Sequence, residues 1–289
     1  MDRALVRTLH KATEIDVTRP RNLLRTSAAL MFAAIAVYGL AHAQAQTYQP
    51  REYQPGKDVV WVPTAQTLVD KMLDAAKLTA DDYLVDLGSG DGRTVITAAQ
   101  RGAKALGVEY NPKMVELSKE NAKKAGVSER ATFLKADLFK TDFSKATVVT
   151  LFLLPEINLQ LRPTLLDMKP GTRVVSNSFD MGDWTADETI ETVDKCMTYC
   201  NAFLWIIPAK VGGTWRSDDG QLTFKQTFQV LSGTVKLGNV LAPLKGRLLG
   251  EDITFTAGPT TYKGRVNGTT IEGTSTTGGQ AKPWRATRA

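Results

Sequence analysis

A strand that breaks on glycine sets the terms for this chain. Tyr83-Leu84-Val85-Asp86-Leu87 runs directly into Gly88-Ser89-Gly90-Asp91-Gly92-Arg93. The apolar, β-favouring run needs a sheet to cover it, and three closely spaced glycines end it by permitting a turn that larger residues resist. Helical spacing resumes after Arg93, so the loop joins a buried strand to a helix. That unit recurs: short apolar runs over 83–87, 104–109, 132–135, 147–153 and 173–177 are interleaved with helical stretches over 93–101, 112–125 and 156–168. Such alternation requires parallel crossovers and predicts a doubly wound α/β sheet. Two further β-rich runs, 189–195 and 202–207, have too short a connection for a crossover helix, so they are expected as an antiparallel pair that completes seven strands. Upstream, Pro63-Thr64 offers a helix start, and Leu68, Met72, Leu73 and Ala76 share one face of a helix ending near Lys77.

In a doubly wound sheet the ligand sits beyond the carboxyl ends of the strands, where glycine lets the backbone approach it. Glu109 closes the second strand nineteen positions after Gly90, near the spacing at which a carboxylate meets ribose hydroxyls. A dinucleotide loop follows G-x-G-x-x-G, whereas this one reads G-x-G-x-G with Asp91 inside it. An aspartate facing a pyrophosphate is repelled; beside a sulfonium and an amino group it is attracted. The loop therefore suits S-adenosylmethionine better than a dinucleotide.

These residues carry a resemblance. The run from Asp86 to Arg93 resembles motif I of the class I S-adenosylmethionine-dependent methyltransferases. Val62-Pro63-Thr64, Gly107-Val108-Glu109-Tyr110-Asn111-Pro112 and Ala136-Asp137-Leu138 extend the likeness to the small lysine methyltransferases related to the ATP synthase c-subunit enzyme, over about residues 59–184. The resemblance implies a Rossmann-like, doubly wound seven-stranded sheet, S-adenosylmethionine as cofactor, and methyl transfer to an acceptor amine, foremost a protein lysine. It implies that Asp86, Gly88 and Gly90 line the methionine part, with Ser89 between them also binding the cofactor, that Glu109 takes the ribose hydroxyls, that Asp137 faces the adenine, and that Thr64 lies near the cofactor's amino acid end. Plain structural roles stand beside four of these: Asp86 also reads as a satisfied turn carboxylate, Glu109 as a surface strand end, Asp137 as a helix cap and Thr64 as an N-cap.

Relatives of this kind place the acceptor after the fourth strand. Here that segment is Leu153-Leu154-Pro155-Glu156-Ile157-Asn158, which departs from the Asn-Pro-Pro-Tyr type of amino-methyltransferases and weakens any reading as an adenine or glutamine methylase. Glu156 and Asn158 are the candidate catalytic residues, as groups that orient an amine, although Glu156 also reads as a first-turn helix carboxylate. Asp180 and Asp183 are further candidates near the acceptor mouth, with loop capping as their alternative. The only histidines, His10 and His42, fall in an N-terminal leader, which excludes histidine triads, histidine general bases and histidine metal ligands from the mature chain. A lysine acceptor would then lose its proton to a carboxylate or to solvent. Cys196 and Cys200 cannot form a four-thiolate zinc site, and no metal is expected. Extended chain would separate their Cα atoms by about 13 Å, so a disulfide requires a turn at Met197-Thr198-Tyr199; otherwise they are two buried thiols.

The organisation expected is a signal peptide over 1–43, a linker over 44–57, a methyltransferase domain over 58–209 and a small β-barrel or sandwich module over 211–289. The apolar run from Ala28 to Leu40 follows Arg19, Arg21 and Arg25 and precedes small-x-small cleavage patterns at Ala41-His42-Ala43 and Ala43-Gln44-Ala45. As a helix it would span about 20 Å, short of the roughly 30 Å hydrocarbon core. Export to the periplasm or cell exterior follows, with an uncleaved membrane anchor as the alternative. The leader carries six basic and three acidic residues, so its removal lowers the formal charge from +6 to +3. Without a dense basic stripe, no nucleic-acid partner is expected. The partners expected are a protein or small-molecule methyl acceptor, with membrane or envelope association open. Beyond Pro208 the composition shifts to Gly and Thr, with strands expected over 222–230, 253–256, 262–266 and 270–273 and hairpin turns at Asp219-Gly220, Ser232-Gly233 and Asn267-Gly268. Export conflicts with the cytosolic synthesis of S-adenosylmethionine, which keeps two other functions in view: a catalytically silent binding module on the same fold, and a small-molecule N- or O-methyltransferase.

Overall fold

The computed structural model describes residues 48–192, 194–218 and 220–289. The leader read over residues 1–43, with both histidines, lies outside the described residues, as does Asp219. Seven strands form the first sheet: β1 Tyr83–Leu87, β2 Lys104–Glu109, β3 Ala131–Lys135, β4 Val148–Leu151, β5 Arg173–Asn177, β6 Glu188–Glu191 and β7 Asn201–Ile206. Their spatial order is β3-β2-β1-β4-β5-β7-β6, and the first five are parallel. β7 runs antiparallel to both β5 and β6, the pairing expected from the short connection between them. The order reverses between β1 and β4, which opens a crevice beyond their carboxyl ends.

Alternation along the strands divides the core into two layers. Leu84, Val148 and Val175 point to one face, where helices α1 (Gln66–Ala75), α2 (Arg93–Gln100) and α3 (Pro112–Lys124) contribute Leu68, Leu73, Val95, Ala98 and Ala122. Val85, Val149 and Val174 point to the other face, against Leu161 and Leu165 of helix α4 (Pro155–Leu166) and against Trp184 and Trp205. β4 is buried at all four positions, as expected for a parallel strand covered on both sides. Asn111 caps α3 by accepting from the Lys113 backbone N–H at 3.0 Å, and Pro112 follows at the first helical position, where its missing N–H is harmless.

The C-terminal module is a closed eight-stranded barrel: β8 Gly213–Ser217, β9 Gly220–Thr227, β10 Val230–Leu237, β11 Val240–Leu249, β12 Asp252–Ala257, β13 Thr260–Asn267, β14 Thr270–Thr277 and β15 Gln280–Arg288. Each strand pairs antiparallel with its neighbour, and β15 closes onto β8. Its interior is filled by Trp215, Phe224, Phe255, Tyr262 and Trp284. Two of the expected hairpin positions hold, at Gly220 and Gly268, but Ser232-Gly233 lies within β10. A Cβ on Gly233 would stand 1.9 Å from the Thr223 carbonyl oxygen, so glycine there serves close strand approach and not a turn.

The barrel is joined to the sheet through buried polar contacts. Trp184 donates its indole N–H to Gln229 Oε1 at 2.9 Å, and Gln229 Nε2 donates to the Thr185 carbonyl at 2.7 Å. The Phe228 ring stacks on Trp184 at 5.7 Å, and Arg247 pairs with the buried Asp187 at 2.6 Å. Residues 48–57, read from sequence as part of an extended linker, instead fold back on the domain. Tyr53 N–H donates to the Trp61 carbonyl at 2.8 Å and Trp61 N–H to the Gln54 carbonyl at 3.0 Å, while Gln54 Nε2 reaches Met114 Sδ at 3.6 Å.

Candidate active site

A cavity of about 440 Å³, of the size that small-molecule sites occupy, lies beyond the ends of β1, β2 and β4. Its floor is the glycine loop. Gly88, Gly90 and Gly92 take φ of 83°, 54° and 83°. A Cβ on Gly90 would stand 2.6 Å from Trp61 Nε1, so the loop is held both by a left-handed backbone and by the folded-back segment above it. Glu109 fixes the loop from the side: its Oε2 accepts from Gly90 N–H at 3.0 Å and its Oε1 from Asn111 N–H at 2.8 Å. Each carboxylate oxygen keeps a further lone pair for a ligand hydroxyl.

Asp86 closes the inner end. It is buried and accepts from the Thr150 hydroxyl at 2.7 Å. Burial pushes its carboxyl up to about 7, repulsion from Glu109 and Asp91 adds to the rise, and the Thr150 hydrogen bond opposes it. Asp91 is turned to Arg93, which it meets at 2.6 Å, while Arg93 Nη1 donates to the Thr64 carbonyl at 2.7 Å. The charge expected of Asp91 is thus already paired. At the outer wall Asp137 accepts from Phe139 N–H at 3.0 Å and pairs with Lys57 at 3.1 Å. These contacts hold its carboxyl below the ordinary range, the Phe139 amide first and Lys57 second. Asp137 is therefore both the cap of the short 3₁₀ turn Leu138–Lys140 and part of the cavity lining.

Thr64 is buried at the cavity edge, and its Oγ1 accepts from Asn177 Nδ2 at 3.1 Å. It does not cap α1, whose N-cap is Ala65 without a side-chain bond. The two residues singled out for catalysis are placed elsewhere. Glu156 is exposed in the first turn of α4 and does not line the cavity. Asn158 is buried beneath it, donating to Ser176 Oγ and to the carbonyls of Phe179 and Asp180 at 3.1–3.2 Å. Asp180 caps its own loop by accepting from Gly182 N–H, and Asp183 pairs with Arg162. Cys196 and Cys200 form a disulfide, so the turn they required is present.

Sequence reasoning missed two parts of the lining. One is the segment around Gln54, Lys57 and Trp61; the apolar run Val59-Val60-Trp61-Val62 ahead of Pro63 was the available signal. The other is a group of three rings, Phe152, Phe179 and Tyr199, drawn from three separate loops.

The residues present fit a cationic nucleoside. Five carboxyl groups line the cavity against two basic side chains, Lys57 and Arg93, both of which are spent on Asp137 and Asp91. The Ser89 hydroxyl is buried without a hydrogen-bond partner, a donor and acceptor left open in the loop. The ANTKMT methyltransferase domain matches residues 86–188. A protein-lysine N-methyltransferase of Saccharolobus islandicus is 43% identical over 152 residues, covering 52% of this chain and 94% of that protein. This chain belongs to that methyltransferase family. The mouse lysine N-methyltransferase named for the ATP synthase c-subunit is 42% identical over 118 residues, covering 40% of this chain and about half (48%) of that relative's length. A crystal structure described as an RNA methyltransferase from Salinibacter ruber in complex with S-adenosyl-L-homocysteine is 45% identical, with a TM-score of 0.49, covering 52% of this chain and 96% of that one. The cofactor of the family, S-adenosylmethionine, would be held by the glycine loop, Asp86 and Glu109, and supplies the electrophilic methyl group.

Proposed function

We propose that this protein methylates lysine side chains of a protein acceptor, with S-adenosylmethionine as donor. The observation that carries the reading is one continuous cavity whose floor is acidic and glycine-lined and whose other wall is apolar, built from Leu153, Leu154, Ile157 and the three rings. A primary amine on a four-carbon stem matches such a wall, because the stem is apolar and the amine needs to shed water and a proton before it attacks. Desolvation against the aliphatic Leu153, Leu154 and Ile157 lowers an amine's pKa and favours the neutral nucleophile, and solvent at the mouth takes the proton. The remaining contribution is alignment: methyl transfer is an in-line displacement, and a single cavity holds donor and acceptor against each other. Relatives named for protein-lysine methylation support the acceptor class.

A nucleic-acid acceptor fits less well. Residues 44–210 carry 20 basic and 22 acidic side chains, without the cationic field that phosphates require. The test is transfer of radiolabelled methyl from S-adenosylmethionine to fractionated cell extract, each fraction then treated with protease or ribonuclease. Label released by protease and recovered as methylated lysine is the expected result; label released by ribonuclease, or none despite cofactor binding, overturns the reading. Export is part of the same proposal. The leader's apolar run and the Cys196–Cys200 disulfide both suit an oxidising compartment, which the mature N-terminus and cell fractionation will test.

A further inference from the structure

Phe152, Phe179 and Tyr199 come from three loops at the carboxyl ends of the strands: the first just past β4, the second just past β5, and the third in the connection between β6 and β7. Their ring centroids lie 5.2 Å (Phe152–Tyr199), 6.1 Å (Phe179–Tyr199) and 6.3 Å (Phe152–Phe179) apart. At those separations the rings touch, so there is no slot between them; they make one aromatic wall on the cavity they all line.

Each ring is fixed by a separate device. Phe152 follows directly on β4. Phe179 is held through its carbonyl, which accepts from the buried Asn158 amide at 3.1 Å. Tyr199 sits in a left-handed backbone conformation, φ 58°, which a bulky residue adopts only when its surroundings impose it. The Cys196–Cys200 disulfide closes the five-residue loop containing it, and Thr192 N–H donates to the Cys200 carbonyl at 2.9 Å to close the base. A small loop that could have been a simple hairpin turn is thus cross-linked around one tyrosine whose ring meets Phe152 edge to face.

We propose that this aromatic wall is the acceptor subsite, that it takes the apolar side-chain end of lysine and the methylammonium end of its methylated products by ring-face contact, and that the disulfide is the positioning element for Tyr199. The inference rests on the lysine reading above. Ring faces attract a cation within about 6 Å and also accept the methyl groups that successive transfers add. Asn158 becomes a positioning residue for Phe179, which gives a role to a side chain that does not reach the cavity.

The test uses the full chain with saturating S-adenosylhomocysteine and two probes: Nα-acetyl-trimethyllysine methylamide and its neutral isostere with carbon in place of the quaternary nitrogen. Binding of each is followed by NMR titration, and nucleoside affinity by calorimetry on the same samples. The wild type is expected to prefer the cation by about three- to tenfold. Tyr199→Phe should keep that preference, whereas Tyr199→Ala should lose it. Phe152→Leu, which keeps apolar bulk without a ring, should lose it as well. The pair Cys196→Ser with Cys200→Ser should weaken cation binding several-fold at unchanged nucleoside affinity. Equal binding of the two probes by the wild type overturns the proposal, as does a preference that survives both Tyr199→Ala and Phe152→Leu. A wild type that discriminates the cation yet labels no lysine in extract keeps the aromatic wall and loses the lysine reading, so the two fail separately.

Discussion

The parallel sheet and the barrel both bury dense aromatic clusters, but they treat the ends of their strands differently. In the sheet, β1 runs into Gly88, β2 ends on Glu109 and β4 runs into Phe152, and the three leave a cavity beyond their carboxyl ends. In the barrel, closure of the sheet on itself turns the inward side chains toward one another, and Phe255 alone touches Phe224, Tyr262 and Trp284. A twisted open sheet leaves a crevice at its switch point that chemistry can use, while a small closed barrel spends its interior on packing. The barrel meets the sheet on its outside, in the contacts around Trp184 and Gln229.

That contrast can be broken most forcefully in the barrel core. Phe255→Ala removes a ring that is 1% exposed and stacked on Tyr262 at 4.5 Å. It should cost about 3–5 kcal/mol in denaturant unfolding. S-adenosylmethionine affinity, measured where the protein is still folded, should change less than about twofold; a parallel loss of affinity would show that the barrel shapes the site. The converse experiment is Gly90→Val, which forces a branched side chain into Trp61 at a backbone φ of 54°. Nucleoside binding by calorimetry should weaken at least about a hundredfold, roughly 2.7 kcal/mol, with the barrel's unfolding unchanged.

The junction is the next smaller effect. Gln229→Ala leaves the buried Trp184 indole N–H without its partner and removes the part-buried bond to the Thr185 carbonyl. A cost of about 1–3 kcal/mol is expected, with calorimetry resolving separate transitions for sheet and barrel where the wild type shows one. A single shifted transition would instead mean that Phe228 and Arg247 suffice to couple them.

The two regions also differed in how much their sequence disclosed. β1, β2 and β5 begin and end where the apolar runs do, because a buried parallel strand bounded by turn residues is a local pattern. In the barrel only part of the strands could be read. β9 and β10 merge in the sequence because the turn at Phe228 takes φ 52° without a glycine. β11 and β15 carry Pro243 and Pro283, which argue against strand, and β11 exposes Val240 and Leu241 where alternation would place one of them inside. In the site, Asp86, Gly90 and Glu109 were legible because one loop and the strand beside it position them. Trp61, Phe152, Phe179 and Tyr199 were not, since they meet only after the chain has crossed the sheet. Glu156 and Asn158 were chosen by their place after β4, but the helix phase turns one to solvent and the other inward, where it holds the Phe179 loop.

Two buried carboxyls, one on each side of the comparison, give the finest test. Burial raises both, but Asp187 at the barrel junction is answered by Arg247 and the Ile206 amide, whereas Asp86 in the cavity has a hydroxyl and two repelling acids. With its carboxyl near 7, Asp86 in the free protein holds a proton through the acid side of neutrality. A sulfonium nearby favours the ionised form, so cofactor binding must expel that proton below pH 7 and need not do so above it. Affinity for S-adenosylmethionine should therefore tighten by up to about tenfold between pH 6 and 8, rising with pH and levelling past 7. Asp86→Asn, which cannot ionise, should flatten the profile, and S-adenosylhomocysteine, which lacks the sulfonium charge, should show a shallower slope in the wild type. The same carboxylate costs folding free energy once it ionises, so the substitution should also raise the unfolding temperature of the cofactor-free protein at pH 8 relative to wild type, and by less at pH 5. A wild-type affinity flat from pH 6 to 8 would mean that Asp86 does not meet the positive end of the cofactor, and would leave Glu109 and the loop amides as its main holders.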